Sequence, residues 1–441
     1  MNQRLAEIQQ ELLARNPENQ IDPTLDRIRA VCEILGDPHL AYPVIHVAGT
    51  NGKTTTSRMI EALLREFGIN TGLMTSPHLH DERERIRLNG QPVEAERYIE
   101  AYEQIEPYLG LIDDKVGRLS YFEALTALGF SIFADAPVDV AVIEVGLGGE
   151  LDASNIVEPV ITVITPIGLD HQSYLGNDLT SVATAKAGIL KPGAIPVVAR
   201  QQLPAAEVIA RRCAELGLPM LREGIEFGIV ERQLAIGGQM LNIQGIGGEY
   251  SDVLLPLYGE HQASNAAVAL TAVEAFFGAA TQLDQDTVRA AFAGITSPGR
   301  CEVVRRSPTV IVDAAHNPHG AAALANTLAG EFDFRYTVGV VSILGDKDVR
   351  GVLEALEPVF DEVVVTRNGS PRAEDVAALA ETAHLVFGED RVHTAATLLA
   401  AADRATELVD QYAGEGGLGV VITGSVVTAA EARAIYGRTS A

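Results

Sequence analysis

The sequence has no tryptophan, only three cysteines, and far fewer basic than acidic side chains. Cys32, Cys213 and Cys301 are widely spaced and form no pair typical of a metal site. We therefore expect packed thiols in a cytoplasmic protein. With 33 Lys and Arg against 59 Asp and Glu, the formal net charge is -26. A surface this acidic repels nucleic acid phosphates and anionic lipid, so neither nucleic acid nor a membrane is an expected partner.

Long apolar segments are also absent. No run is long enough to cross a bilayer, and the N-terminus lacks the apolar core of a signal peptide. Hydrophobic residues nevertheless make up 47% of the 441 residues, which is enough for two or three well-packed domains. An anionic substrate must then be bound by locally placed Lys or Arg, metal ions or helix N-termini.

Short β-branched runs alternate with alanine-rich helical stretches, which predicts an α/β fold with mostly parallel sheets. A glycine-punctuated, β-like stretch over 221–257 predicts a meander at a sheet edge. The segment 294–299 is rich in Gly and Pro and predicts a domain boundary. We expect a P-loop ATPase-type domain over 1–297 and a smaller, Rossmann-like α/β domain over 298–441. The predicted strands are 44–48, 138–145, 160–165, 309–312, 336–343, 362–366 and 419–422, and the clearest helices are 53–67 and 261–277.

A glycine-rich turn connects the first of these strands to a helix. Glycines let backbone N–H groups approach phosphate oxygens, and the helix N-terminus favours negative charge. Lys53 can reach the β- and γ-phosphates of a nucleotide. The spacing departs from the standard phosphate loop because Val47 occupies the first glycine position. The predicted ATP-binding loop comprises Gly49, Thr50, Asn51, Gly52, Lys53, Thr54 and Thr55.

Glu144 lies inside the apolar run 140–145. An unpaired carboxylate in a buried strand costs several kcal/mol, so it must be protonated or have a cation partner. Magnesium, which prefers oxygen ligands, is such a partner. Leu151 stands where the last glycine of a dinucleotide motif would be, so a dinucleotide site is not expected.

Five motifs follow one another along the chain: "GTNGKT", "TSPHL", "EVGLGGELDASN", "DHQSYLG" and "KAGI". Their order is the one seen in the folylpolyglutamate synthase/dihydrofolate synthase family of the Mur ligase superfamily, and the whole chain resembles that family. The resemblance implies that Ser76, Glu144 and His171 hold one Mg2+. Alternatively, Thr54 or Thr55 binds the metal directly, as in the muramyl ligases. The resemblance also implies a carbamylated lysine at Lys186, which requires a neutral amine and hence a lowered pKa.

The segment "SYFEAL" is similar to the pterin-binding segment of the family, with Tyr121 and Phe122 stacking on a flat bicyclic ring; the alternative for these two rings is core packing. Two departures from the family pattern lie nearby: Glu150 replaces an arginine, and the loop 81–83 replaces an aromatic residue and an asparagine. The implied pterin or folate contacts are Ser120, Tyr121, Phe122, Glu123, Leu151, Asp152 and Ala153.

Contacts to ATP are implied for Asn265, for Arg300 at the predicted domain boundary and for Asp313, while His316 is placed beside the phosphates. Asp313 follows a predicted strand, and ligands of open α/β sheets gather at such strand ends. The catalytic residues implied are Lys53, Lys186 and His316.

These motifs predict a ligase rather than a nucleotide-hydrolysing switch. Phosphate leaves an acyl group far more readily than hydroxide does, so transfer of the γ-phosphoryl group to a carboxylate prepares it for attack by an amine. The resemblance implies ATP, L-glutamate and either dihydropteroate, a reduced folate or both as substrates of a monomer. Two alternatives remain open: a muramyl-type ligase of cell-wall precursors, and a nucleotide-hydrolysing switch without ligase activity.

Overall fold

The computed structural model describes residues 3–16, 22–278, 281–412, 414 and 417–439. Helices and strands alternate along most of these residues and build two α/β units with one small antiparallel sheet between them in sequence. None of the helices in these ranges is both long and apolar enough to span a bilayer.

The first α/β unit is built on an eight-stranded sheet of order β4-β3-β2-β5-β1-β6-β7-β8. From β2 to β8 all neighbours are parallel, whereas β3 and β4 pair antiparallel at one edge. The elements up to the domain linker are α1 (Gln3–Leu13), α2 (Asp26–Ile34), β1 (Val44–Ala48), α3 (Lys53–Glu66), β2 (Thr71–Met74), β3 (Ile86–Leu88), β4 (Gln91–Pro92), α4 (Ala95–Lys115), α5 (Tyr121–Asp135), β5 (Val140–Glu144), β6 (Ile161–Ile164), α6 (Gln172–Leu175), α7 (Leu179–Ala187), β7 (Ile195–Val198), α8 (Leu203–Leu216), β8 (Leu221–Arg222), β9 (Gly228–Ala235), β10 (Gly238–Gln244), β11 (Glu249–Leu255), α9 (Glu260–Phe276) and α10 (Gln285–Ala293).

The second α/β unit has six strands in the order β12-β13-β17-β14-β15-β16, parallel except for the edge strand β12. Its helices and strands alternate as expected for a Rossmann-like unit. The elements are β12 (Glu302–Arg306), β13 (Thr309–Val312), α11 (Pro318–Glu331), β14 (Phe334–Val341), α12 (Val349–Leu356), β15 (Glu362–Val365), α13 (Val376–Phe387), β16 (Val392–Thr394), α14 (Leu398–Asp410), β17 (Gly417–Thr423) and α15 (Val426–Ile435).

The predicted edge meander is one correction. Strands β9, β10 and β11 do not extend the parallel sheet but form their own antiparallel sheet of order β11-β10-β9. Alternate side chains of β10 and β11, such as Leu241, Ile243 and Val253, are fully buried in the same core cluster as the alanine-rich helix α9. Only the two-residue strand β8 joins the edge of the parallel sheet.

Helix α3 is held between the main sheet and α9. Met59, Ile60, Leu63 and Leu64 are fully buried, as their spacing along the helix predicts. The central strand β1 is buried at every residue. This packing fixes the turn from β1 to α3, which opens at the carboxyl end of the sheet, where ligands of α/β proteins bind.

Candidate active site

The carboxyl ends of the two parallel sheets face one cavity of about 1210 Å³. Residues of both α/β units line it. From the first unit come the loop 49–55, Ser76, Glu144 and the segment 146–153, and from the second come residues that follow β13 and β14. A cavity of this size between two units is the usual place for a ligand site.

Two glycines of the phosphate loop have positive φ and no room for a side chain unless their neighbours shift. Gly49 has φ +150°, and a Cβ atom there would lie 1.9 Å from Oγ1 of Thr165. Gly52 has φ +86° at the start of α3, and its Cβ would lie 2.7 Å from Oδ1 of Asn265. The second clash shows that Asn265, predicted to contact ATP, lies against this loop, where its Nδ2 donates to Oε1 of Gln262 at 2.9 Å.

Two lysines lie at this loop. Nζ of Lys53 donates to the carbonyl of Thr50 at 3.2 Å, and Nζ of Lys186 donates to the carbonyl of Gly49 at 2.7 Å. Lys186 is only 5% exposed. Burial, together with the positive charge of Lys53, lowers the pKa of Lys186 to about 7. A large fraction of this amine is therefore neutral at neutral pH.

Glu144 ends β5 and is 2% exposed. Oγ1 of Thr54 donates to both of its carboxylate oxygens, at 2.9 and 3.0 Å, and N of Ser76 donates to Oε2 at 3.2 Å. Burial raises the pKa of Glu144, while the charge of Lys53 opposes the rise. A carboxylate with hydroxyl groups beside it is an oxygen donor set that suits Mg2+.

The structure joins Ser76 and Glu144 by a hydrogen bond, and His171 lines the same cavity. His171 has a left-handed backbone (φ 51°) at the start of α6, and its Nε2 lies 3.5 Å from Nζ of Lys347. Burial lowers the pKa of His171 to about 4, which leaves a neutral imidazole. Among the residues described, no three His, Cys, Asp or Glu side chains are grouped to hold a metal by themselves. Magnesium here would need further oxygens from nucleotide and water.

The second unit contributes Arg300, Asp313 and His316 to the cavity. The carboxylate of Asp313 accepts hydrogen bonds from the backbone N of Cys301 at 2.8 Å and of Ala315 at 2.7 Å. Burial raises the pKa of Asp313, and the positive charge of Arg300 counteracts this. Nδ1 of His316 is 2.9 Å from the carbonyl oxygen of Ala314.

Three residues of the predicted pterin segment, Ser120, Phe122 and Glu123, line the cavity. Ser120 caps α5 in a capping box with Glu123, whose carboxylate also accepts from Nε of Arg27 at 3.0 and 3.1 Å. Phe122 lines the cavity, and its ring packs so closely on Gly146 that a Cβ there would lie 2.5 Å from Cζ. Glu123 therefore holds the segment in place through its hydrogen bonds, and Phe122 supplies the aromatic surface.

Tyr121 is a second correction, because it does not line the cavity. It is 4% exposed, its hydroxyl donates to Oε2 of Glu82 at 2.7 Å, and the guanidinium of Arg85 lies 5.3 Å from its ring centroid. Helix periodicity explains the outcome, since Tyr121 and Phe122 point about 100° apart. The core-packing alternative is the correct one for Tyr121.

The segment after β5 forms another wall of the cavity. Leu151 is 51% exposed, and Ala153 and Glu150 also line the cavity. The carboxylate of Asp152 is 6% exposed and accepts from the backbone N of Leu147 at 2.8 Å. The altered loop 81–83 does not line the cavity and is occupied with internal contacts, including a capping box at Asp81.

Three residues at the site were not among the predicted site residues. Asp170 and Lys347 line the cavity, and Asp170 accepts hydrogen bonds from Lys347 and from the buried Asn317 behind it. Each follows a strand of a parallel sheet, and that position is the sequence signal that points to them. Asp170 follows β6, Asn317 follows β13 and Lys347 follows β14.

Comparison with known proteins identifies the family. The Mur ligase middle domain matches residues 115–273, and the Mur ligase glutamate ligase domain matches residues 299–426. Dihydrofolate synthase/folylpolyglutamate synthase of Mycobacterium tuberculosis is 52% identical over 458 aligned residues, which cover 98% of this chain and 94% of that protein. This chain belongs to the folylpolyglutamate synthase/dihydrofolate synthase family.

Solved structures of this family have the same fold. Mycobacterium tuberculosis folylpolyglutamate synthase complexed with ADP superposes with a TM-score of 0.94 at 53% identity, covering 99% of this chain and 98% of that chain. Escherichia coli FolC in complex with DHPP and ADP superposes with a TM-score of 0.85 at 30% identity, covering 99% and 98%. The predicted α/β fold with the two-domain Mur ligase architecture is confirmed.

Proposed function

We propose that this chain is an ATP-dependent ligase that joins L-glutamate to the carboxylate of dihydropteroate, a reduced folate or both. The observation that carries the proposal is the set of residues that line this cavity. A phosphate loop and the buried carboxylate of Glu144 line the same cavity as Phe122 and Leu151, which provide apolar surface. The relative of Mycobacterium tuberculosis is named dihydrofolate synthase/folylpolyglutamate synthase, and the two solved structures named above hold ADP.

The reaction has two steps. A carboxylate oxygen of the acceptor attacks the γ-phosphorus of ATP, the bond to ADP breaks, and an acyl phosphate forms. The amine of glutamate then attacks the acyl carbon, loses a proton, and the C–O bond to phosphate breaks to leave an amide. Positioning and charge neutralisation supply most of the catalysis in such transfers.

Residues of this chain supply that positioning. In the proposed site, Lys53 exchanges its bond to the Thr50 carbonyl for the β- and γ-phosphate oxygens, and the N–H groups at the start of α3 face the same anions. Asn265, Arg300 and Asp313 contact the nucleotide, and His316 lies at the phosphate end. Phe122, Leu151 and Ala153 bind the pterin, with Ser120, Glu123 and Asp152 fixing their segments.

Magnesium is proposed to bind Ser76, Glu144 and His171. When bound, it neutralises charge on the phosphate oxygens. The hydroxyl of Thr54 already donates to Glu144, so it remains the alternative metal ligand. We also propose that Lys186 is carbamylated, supported by its buried amine and its pKa of about 7. A carbamate signal in the 13C NMR spectrum with 13C-bicarbonate, absent from Lys186→Met, would test this.

We further propose a domain boundary between residues 297 and 298 and a monomer in the cytoplasm. The second sheet begins at Glu302, a few residues beyond that boundary. Cys32, Cys213 and Cys301 are buried and unpaired, as suits a reducing compartment.

Phosphate release from ATP tests the proposed function. The assay contains magnesium and glutamate with dihydropteroate or tetrahydrofolate, and each component is omitted in turn. Release that requires glutamate and occurs with only one acceptor supports the ligase and identifies the step it catalyses. Release that requires glutamate and occurs with each of the two acceptors means a bifunctional enzyme. No release with either acceptor would redirect the proposal to the muramyl-type substrates. Release indifferent to glutamate would favour a nucleotide-hydrolysing switch.

A further inference from the structure

One buried carboxylate joins the two α/β units. Asp170 follows β6 of the first unit, where the backbone N of His171 donates to its Oδ1 at 2.8 Å, and its other side-chain partners come from the second unit. Its Oδ1 accepts a hydrogen bond from Nζ of Lys347 at 2.5 Å, and its Oδ2 accepts one from Nδ2 of Asn317 at 3.1 Å. Nε2 of His316 lies 3.3 Å from the same Oδ2. Because the side chains of Asp170 and Lys347 are only 8% and 7% exposed, water screens this pair little.

The same network reaches the phosphate loop. The amides of Asn317 and Asn51 exchange two hydrogen bonds, both of 3.1 Å. Oδ1 of Asn317 also accepts from N of Gly320 at 2.8 Å, so this side chain caps helix α11. Asn317 is 2% exposed. A displacement of Asp170 is therefore transmitted to the start of α11, which carries His316 just before it.

We propose that Asp170 is a positioning residue that docks the second α/β unit so that His316 and Lys347 reach the phosphate end of the cavity. This inference rests on the proposed ligase function. Both oxygens of Asp170 already accept bonds from protein donors, which assigns it to alignment of the two units rather than to contact with substrate. Lys347 is its principal partner, because it is the nearest donor and is equally buried.

Loss of this docking should weaken glutamate transfer far more than nucleotide binding, in which Arg300 and Asp313 of the second unit also take part. The phosphate loop and Lys53 belong to the first unit and keep their backbone bonds, such as N of Thr50 to the carbonyl of Pro166 at 3.0 Å. The reacting groups of the second unit, in contrast, lose their alignment. A misplacement of about 1 Å in an active site costs about 100-fold in rate.

The test uses the full-length protein with Asp170→Asn, Lys347→Met and the double variant. Arg350→Gln is the matched control, since Arg350 is an exposed cation three residues beyond Lys347 whose ion pair is with Glu354 on the same helix. The readouts are the ADP Kd by calorimetry, the melting temperature, and glutamate-dependent phosphate release.

We expect each single variant to lower kcat/KM for glutamate by about 100-fold while the ADP Kd rises by less than about tenfold, because Lys53 and the phosphate loop stay in place and only Arg300 and Asp313 shift. The double variant should be no more than about threefold worse than the poorer single variant, because both changes remove one interaction. Lys347→Arg should restore much of the activity, and Arg350→Gln should match the unmodified protein.

Absence of glutamate-dependent release in the unmodified protein would refute the proposed function, independently of Asp170. The positioning role is overturned if that protein is active and Asp170→Asn behaves like it. It is equally overturned if the two losses multiply, or if ADP affinity falls in parallel with activity. If Asp170→Asn does not fold, Lys347→Met tests the same interaction from the second unit. For that variant too, glutamate turnover should fall much more than ADP affinity.

Discussion

At the scale of single residues, the buried amine of Lys186 gives stability a pH dependence. Its pKa is about 7 in the folded protein, against 10.5 for an ordinary lysine. Below pH 7 the folded and unfolded states both bind the proton, and the folded state bears the full cost of a buried charge. Between pH 7 and 10.5 the unfolded state binds more protons, so this cost falls as the pH rises.

In buffer free of bicarbonate, where Lys186 is a free amine, Lys186→Met should therefore increase the free energy of unfolding most below pH 7, and the gain should shrink toward pH 10. Loss of the bond to Gly49 subtracts about 1 kcal/mol at every pH. Urea denaturation at pH 6, 7.5 and 9 measures the difference, with Lys115→Met at an exposed helix end as control. A difference that stays constant with pH would contradict burial of a charged amine.

Glu144 is the residue on which magnesium binding should depend. The amide of Glu144→Gln keeps the size of the side chain and removes the charge that attracts the cation, and it also ends the cost of a buried carboxylate. We expect the variant to fold and to lose the additional thermal stabilisation that magnesium gives to the ADP complex. Ligand at 100 times its Kd contributes about 2.7 kcal/mol, so the loss is measurable as a melting temperature shift.

Adding a metal chelator to the ADP complex of the unmodified protein should lower its melting temperature as much as the substitution Glu144→Gln does in the absence of chelator. Glu207→Gln, at an exposed position on α8, is the matched control and should respond to magnesium normally. Equal magnesium responses in Glu144→Gln and the unmodified protein would exclude Glu144 as a ligand.

At the scale of elements, the N-terminus of α5 links helix stability to acceptor binding. Ser120→Ala removes the side-chain bond to N of Glu123 at 3.2 Å and should cost about 1 kcal/mol of unfolding free energy. Since α5 carries Phe122, the KM for the pteroate or folate acceptor should rise severalfold while the KM for ATP stays unchanged. Ser120→Thr should restore both values, and a matching rise in the ATP KM would instead indicate general distortion.

The sequence predicts the regular elements well where local pattern decides them. Strand β1 and the buried face of α3 agree with the prediction. A short β-branched run predicts the strand, and the spacing of apolar residues predicts the buried face of the helix, and both are local features of the sequence. Long-range packing decides the rest. Nothing local shows that Tyr121 turns toward Glu82 or that β9 leaves the main sheet. The partners of Asp170 in the second unit lie 146 to 177 positions away in the chain, so no spacing rule connects them.

At the scale of the whole molecule, the net charge of -26 and the cations of the cavity act at different distances. The Debye length is about 30 Å at 0.01 M ionic strength, so the acidic surface repels ATP and the acceptor over the size of the protein. At 0.15 M it is about 8 Å, and an approaching anion then responds mainly to nearby groups such as Lys53 and Arg300.

We therefore expect kcat/KM for ATP to rise about threefold as KCl increases from 10 to 150 mM, measured by phosphate release at fixed glutamate and acceptor. The value of kcat should not change, because repulsion acts on the encounter and not on the bound complex. A steady fall in kcat/KM would mean that the local cations, rather than the net charge, control the encounter. A parallel fall in kcat would mean that salt weakens the ion pair between Asp170 and Lys347. We do not expect this result, because their side chains are only 8% and 7% exposed and dissolved salt screens a buried ion pair little.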